Sequence, residues 1–189
     1  MSQPLNEIQK ILKAKANAEA KAAHKIFVPG KDRIYGVRNP VLNELAQQYK
    51  DGGFGLVEEL WNAGAYEEKL LAIKMLGKIA KKDPEQSIRI IQIFANDIGN
   101  WAICDTLGMQ GLRPLLQTHQ KEIFSLARKY NQSEDFWQRR LSLVLVEWYT
   151  RKKELHPEIK QLVQTLENDS AYYVRKAVVW IKKNFSKEK

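Results

Sequence analysis

Four aromatic residues recur along this chain at a nearly constant interval. Tyr66, Trp101, Trp137 and Tyr173 stand 35, 36 and 36 residues apart, each where apolar spacing predicts the start of a helix. A period of that length marks stacked helix pairs, in which neighbouring repeats bury each other's apolar faces. Four repeats meet the minimum such a stack requires. The spacing predicts helices near 54–63, 66–81, 84–97, 100–110, 119–130, 134–150, 156–167 and 171–185. No segment alternates with the period of two that a strand needs, so the expected class is all-α.

The N-terminal part reads differently. Residues 4–25 predict one long helix, with Pro4 and Asn6 at its start and an apolar stripe of Leu5, Ile8, Ile11 and Leu12. From Ala14 onward it is rich in Ala and Lys, which makes it peripheral. Two prolines and two glycines between Ile26 and Pro40 predict a loop, unusual in also carrying aromatic and basic residues. Asn39 as N-cap and Pro40 as N1 then open a helix to about Tyr49, broken by Asp51-Gly52-Gly53. At 189 residues the chain fits one domain, 1–189, with 1–38 as peripheral helix and loop and 39–185 as repeats.

The charge balance narrows the partner. Lys and Arg number 31 against 22 acids, a net +9, which favours a polyanion. If the aromatic-led helices share a face, that face collects Lys69, Arg139, Arg140, Arg175 and Lys176. Lys74, Lys78, Lys81, Lys82, Arg113 and Arg151-Lys152-Lys153 extend it. Such a surface matches a phosphate track; the competing reading is a set of solvated helix faces. His24, His119 and His156 are scattered and Cys104 is the lone cysteine, so no zinc site is expected, and neither a phosphate loop nor a nucleophile elbow occurs. The expectation is no metal, no cofactor and no membrane span. A single cysteine, with no leader-like segment, fits a reducing cytoplasm.

Asn100-Trp101-Ala102-Ile103-Cys104-Asp105 is the odd stretch. Asn100 is a good N-cap, and Trp101 and Asp105 fall four residues apart on one helical face. Asp105 is the candidate catalytic group, with Trp101 as an aromatic wall and Cys104 turned inward. The plainer reading makes Trp101 core and Asp105 a solvated acid. Trp180 on the last helix fits either a core or a site.

The motifs Asn100-Trp101-x-x-Cys104-Asp105, Trp137-x-Arg139-Arg140 and Tyr173-Val174-Arg175-Lys176-Ala177-x-x-Trp180 resemble the AlkD-type DNA alkylation-repair family. Tyr35-Gly36-Val37-Arg38-Asn39-Pro40 resembles that family's entry into its repeats. The resemblance runs from about Phe27 to Trp180. It implies a right-handed solenoid of HEAT-like antiparallel helix pairs, an α-α superhelix cradling duplex DNA. It also implies monofunctional glycosylase action on alkylated purines such as 3-methyladenine and 7-methylguanine, without deep base flipping. By the same resemblance the catalytic set is Asp105, Trp101, Arg140 and Trp180, with Arg38, Lys69, Arg139, Arg175, Lys176 and Phe27 toward DNA. Phe27 stands in for the family's N-terminal cleft aromatic. The partner is then duplex DNA carrying alkylated bases, bound by a monomer. Two other readings stand beside it: a non-catalytic solenoid that uses the same basic groove for damaged or branched DNA, and a protein-binding scaffold, which has no use for Trp101, Asp105, Arg140 and Trp180.

Overall fold

Every described element is helical, and the first unit is built round a helix buried along most of its length. The computed structural model describes residues 2–28, 30 and 33–185, with eleven α-helices and no strand among them. The packing divides into two units, Met1–Pro114 and Leu115–Lys189. The first holds α1 (Gln3–Ala14), α2 (Ala18–Phe27), α3 (Asn39–Gln48), α4 (Gly53–Ala63), α5 (Tyr66–Ile79), α6 (Pro84–Phe94) and α7 (Trp101–Thr106). The second holds α8 (Gln120–Asn131), α9 (Phe136–Val146), α10 (His156–Thr165) and α11 (Tyr172–Phe185). Among the described residues no helix is long and apolar enough to cross a membrane.

The four aromatics stand at the first or second position of α5, α7, α9 and α11, as the period requires. In the first unit α3, α4 and α7 all pack on α5, whose residues from Tyr66 to Leu76 are buried without exception. A helix apolar on one stripe alone could not do this. Here α5 takes four charged side chains, Glu67, Glu68, Lys69 and Lys74, into the interior. In the second unit α9 plays the same part between α8 and α11.

Three expectations for the N-terminus fail. The helix over 4–25 is two helices, α1 and α2, interrupted at Lys15–Asn17. Asn17 breaks it by turning its side chain to accept the N–H of Ala20 at 2.9 Å, capping a new helix. That helix runs on through Ile26 and Phe27, which the expected loop had included. The N-cap of α3 is Arg38, and Asn39 lies inside. Pro29, Lys31 and Asp32 of the expected loop lie outside the described residues. The α1 stripe of Leu5, Ile8 and Leu12 is fully buried, whereas α2 buries only Ala20.

Glu67 and Glu68 fasten the segment 33–37 to α5. Glu67 accepts the backbone N–H groups of Tyr35, Gly36 and Val37 at 2.9, 2.7 and 3.0 Å. Glu68 accepts from Ala65 N–H, Gln9, Arg33 and the Tyr35 hydroxyl. Gly36 makes this possible: its φ is +93°, and an added Cβ would lie 2.5 Å from the Asn17 carbonyl oxygen. Burial, then the bond to Glu68, pushes the Tyr35 hydroxyl up to about 12. An unfolded tyrosine titrates near pH 10, so the native bond is intact below that value and is lost as pH climbs toward the folded value. Urea midpoints followed from neutral pH to about pH 11 should fall on the alkaline side, and fall less in Tyr35→Phe.

Candidate active site

The helix α7 is only six residues long and is held at both ends. At its start the buried Asn100 accepts the N–H of Ile103 on Oδ1 at 2.9 Å, as a cap does. At its end the backbone widens into a π-helical turn, Leu107–Gly111, with Leu107, Gly108 and Gly111 buried. Ile103 and Cys104, both 0% exposed, peg the middle of the helix into the core. Trp101 and Asp105 stand one turn apart, each half-buried.

Trp101 is tied to the N-terminal region. Its indole Nε1–H donates to the Phe27 carbonyl at 2.9 Å, and Gly30 packs against Gly99 and Asn100. The Phe27 ring remains 70% exposed at the end of α2, beside an equally bare Ile26. Among the sequence candidates of the first unit, Trp101 thus meets the Phe27 main chain and stands one turn from Asp105. An amide-type bond to the indole fixes the ring's orientation, so its π face is presented without rotamer loss on binding.

The register of the repeats makes Asp105 anomalous. Four residues after Tyr66, Trp137 and Tyr173 stand Leu70, Leu141 and Ala177, which are 3%, 0% and 0% exposed. Four residues after Trp101 stands a carboxylate. The position is built to bury an apolar side chain, worth about 1.5–3 kcal/mol for a leucine. Here a half-buried carboxylate takes that place.

In the second unit the basic residues gather at the start of α11. Arg140 is 6% exposed and donates from Nη1 to the Tyr173 carbonyl at 2.6 Å. Arg139 makes a fork with Asp169, from Nε at 2.6 Å and from Nη2 at 3.2 Å, and donates from Nη1 to the Ser133 and Glu134 carbonyls. Burial alone would raise the Asp169 carboxyl, but the Arg139 bond and the Ala171 N–H hold it below the usual range. Arg175 donates to the Asp169 and Ser170 carbonyls, and Lys176 lies over the Tyr172 ring at 5.3 Å. Trp137 stacks on Tyr173 with centroids 5.0 Å apart. Trp180 is half-buried, two turns along α11 from Tyr173, on a helix anchored by Val174, Ala177, Val178 and Ile181.

The family model described as DNA alkylation repair enzyme matches residues 8–189. The chain belongs to that family. Among solved structures it is similar to one described as a predicted DNA alkylation repair enzyme from Enterococcus faecalis. The TM-score is 0.78 at 16% identity, over 92% of this chain and 84% of that one. That likeness bears on the fold. A comparison with curated proteins finds no match.

Membership in a DNA alkylation repair family implies contact with DNA, and the cations differ in what they can offer it. Arg175 and Lys176 are exposed. Arg38 is exposed too, its Nη2 3.5 Å from an equally open Glu19, a pair worth little. Lys69 departs from the expected open basic face. It is 4% exposed, with Nζ 3.1 Å from Asp97 and 5.3 Å from the centre of the Trp61 ring. Arg139 departs likewise, since its donors are engaged within the fold. What distinguishes these residues from Arg175 is a partner some 30 residues away, which helical spacing does not reveal.

Proposed function

We propose that this chain is a monofunctional DNA glycosylase releasing positively charged alkylated purines, 3-methyladenine and 7-methylguanine among them, from duplex DNA. The observation that supports it is Asp105, an acid occupying a position where the other three repeats bury Leu70, Leu141 and Ala177. Alkylation at a ring nitrogen gives the base a positive charge and makes it a good leaving group. Breaking its N-glycosidic bond builds oxocarbenium character on the deoxyribose. The Asp105 carboxylate offsets that charge and orients the attacking water, or takes its proton. Trp101, one turn from Asp105, offers a π face to sugar or cationic base, about 0.5–2 kcal/mol, and the family resemblance gives Trp180 the same role.

The family resemblance gives Arg140 a phosphate beside the lesion, although at 6% exposed, with Nη1 on the Tyr173 carbonyl, it departs from an open basic face as Lys69 and Arg139 do. Work from the backbone side, with the base left stacked, limits substrates to bases already labile through charge. The deciding experiment is release of free purine from methylated duplex. Binding without release would leave a non-catalytic DNA-binding protein, and no binding at physiological salt a protein scaffold.

Replacing Arg140 by alanine should weaken duplex binding and reduce the slope of log K against log salt by about 0.9, one phosphate contact's share. Anisotropy titrations across a salt series measure it. An unchanged slope removes Arg140 from the phosphate contacts.

A further inference from the structure

Lys74 is an interior lysine held by neutral groups. It lies on α5, 9% exposed, and its Nζ donates to Asn43 Oδ1 at 2.9 Å and Gln110 Oε1 at 3.3 Å. Burial, then the charge of Lys78, holds its ammonium below the usual lysine range. Among the described residues no carboxylate lies within ion-pair distance of Lys74, Lys78 or Arg113. These three cations, with Asn43, Gln110 and Gly77, line one cleft of about 420 Å³ in the first unit.

Placing an ammonium in the interior costs several kcal/mol unless it is compensated, and a methionine would fill the space more cheaply. Two further cations in the same cleft add repulsion. An anion seated among the three would relieve both costs. The donors are an ammonium at the floor, a second ammonium and a guanidinium at the rim, which suits a phosphate oxygen set. Gln110 lies five residues beyond Asp105, in the π-helical turn that follows α7.

We propose that the Lys74–Lys78–Arg113 cleft is a phosphate subsite that grips a phosphodiester of the DNA backbone. The proposal rests on the DNA-repair reading and supplies a contact apart from the catalytic set. Its grip is independent of sequence and of the lesion.

The test is a salt series of duplex binding by the parent chain, Lys78→Ala/Arg113→Ala, and a charge-matched control, Lys10→Ala/Lys121→Ala. The rim residues are exposed, so the first variant folds whatever Lys74 contributes; Lys74→Met is the second probe. The cleft variants should lower the slope of log K against log salt by about 1, equally for methylated and unmethylated duplex, while the control leaves it in place. An unchanged slope, or an equal loss in the control, overturns the subsite. A parent chain that binds no duplex overturns the DNA reading and with it the strand as the source. Inorganic phosphate then judges the cleft alone, by melting temperature against chloride at matched ionic strength. Stabilisation of the parent and not of Lys78→Ala/Arg113→Ala supports a site for free phosphate, and equal response removes the site altogether.

Discussion

Asp105→Asn should release alkylated purine about 10²–10⁴-fold more slowly than the parent while duplex binding stays within a few-fold. The amide keeps the carboxylate's shape but offers no negative charge to a developing oxocarbenium and no base to the attacking water. Affinity is set by phosphate contacts, which the change leaves in place. Single-turnover base release from methylated duplex, beside anisotropy on the same duplex, measures both quantities. Near-parental release in the variant would exclude the acid named here. The repeat register supplies a companion result. Asp105→Leu restores what the other repeats carry, and should raise stability by about 1 kcal/mol while abolishing release. A leucine variant that loses stability would show that position 105 is not a packing position given over to chemistry.

The second large effect concerns the fold. Glu67→Ala strips three backbone N–H groups, those of Tyr35, Gly36 and Val37, of their acceptor. Each buried donor left without a partner costs about 1–3 kcal/mol, and partial opening of the segment to water recovers some of the sum. The expected loss is about 3–4 kcal/mol, a large share of a typical domain's stability. Urea denaturation followed by tryptophan fluorescence should show the midpoint falling. Glu67→Gln keeps an acceptor oxygen for the same segment and should cost less than half as much. Equal losses in the two variants would assign the effect to the lost charge rather than to hydrogen bonds that an amide can keep.

The sequence made the helical periodicity plain. The starts of α5, α7, α9 and α11, the Asn100 cap and the inward Cys104 all follow from spacing within one or two turns, because helical hydrogen bonds and capping are local. The break at Lys15–Asn17 escaped because Ala and Lys favour helix on either side of it, and only the Asn17 side chain marks the new start. The buried charges escaped for another reason. Glu67, Glu68, Lys69 and Arg139 look like surface residues in any window of a single helix. Their partners, Tyr35, Arg33, Asp97 and Asp169, lie about 30 residues away. Asp105 stood out in the sequence as an acid one turn from Trp101, but that its counterparts Leu70, Leu141 and Ala177 are buried needed the structure.

Gly77 carries a consequence for how far α7 can move. An added Cβ there would sit 2.4 Å from the Gln110 carbonyl oxygen, so α5 and the π-helical turn meet backbone to backbone, with no side chain between them to act as a cushion. Interlocked main chains have no rotamers with which to absorb a displacement. The candidate acid, five residues upstream of that junction, therefore shares its mount with the floor of the Lys74 cleft. A single methyl group at position 77 would act as a wedge, displacing Gln110 and with it both the helix that carries Asp105 and one wall of that cleft.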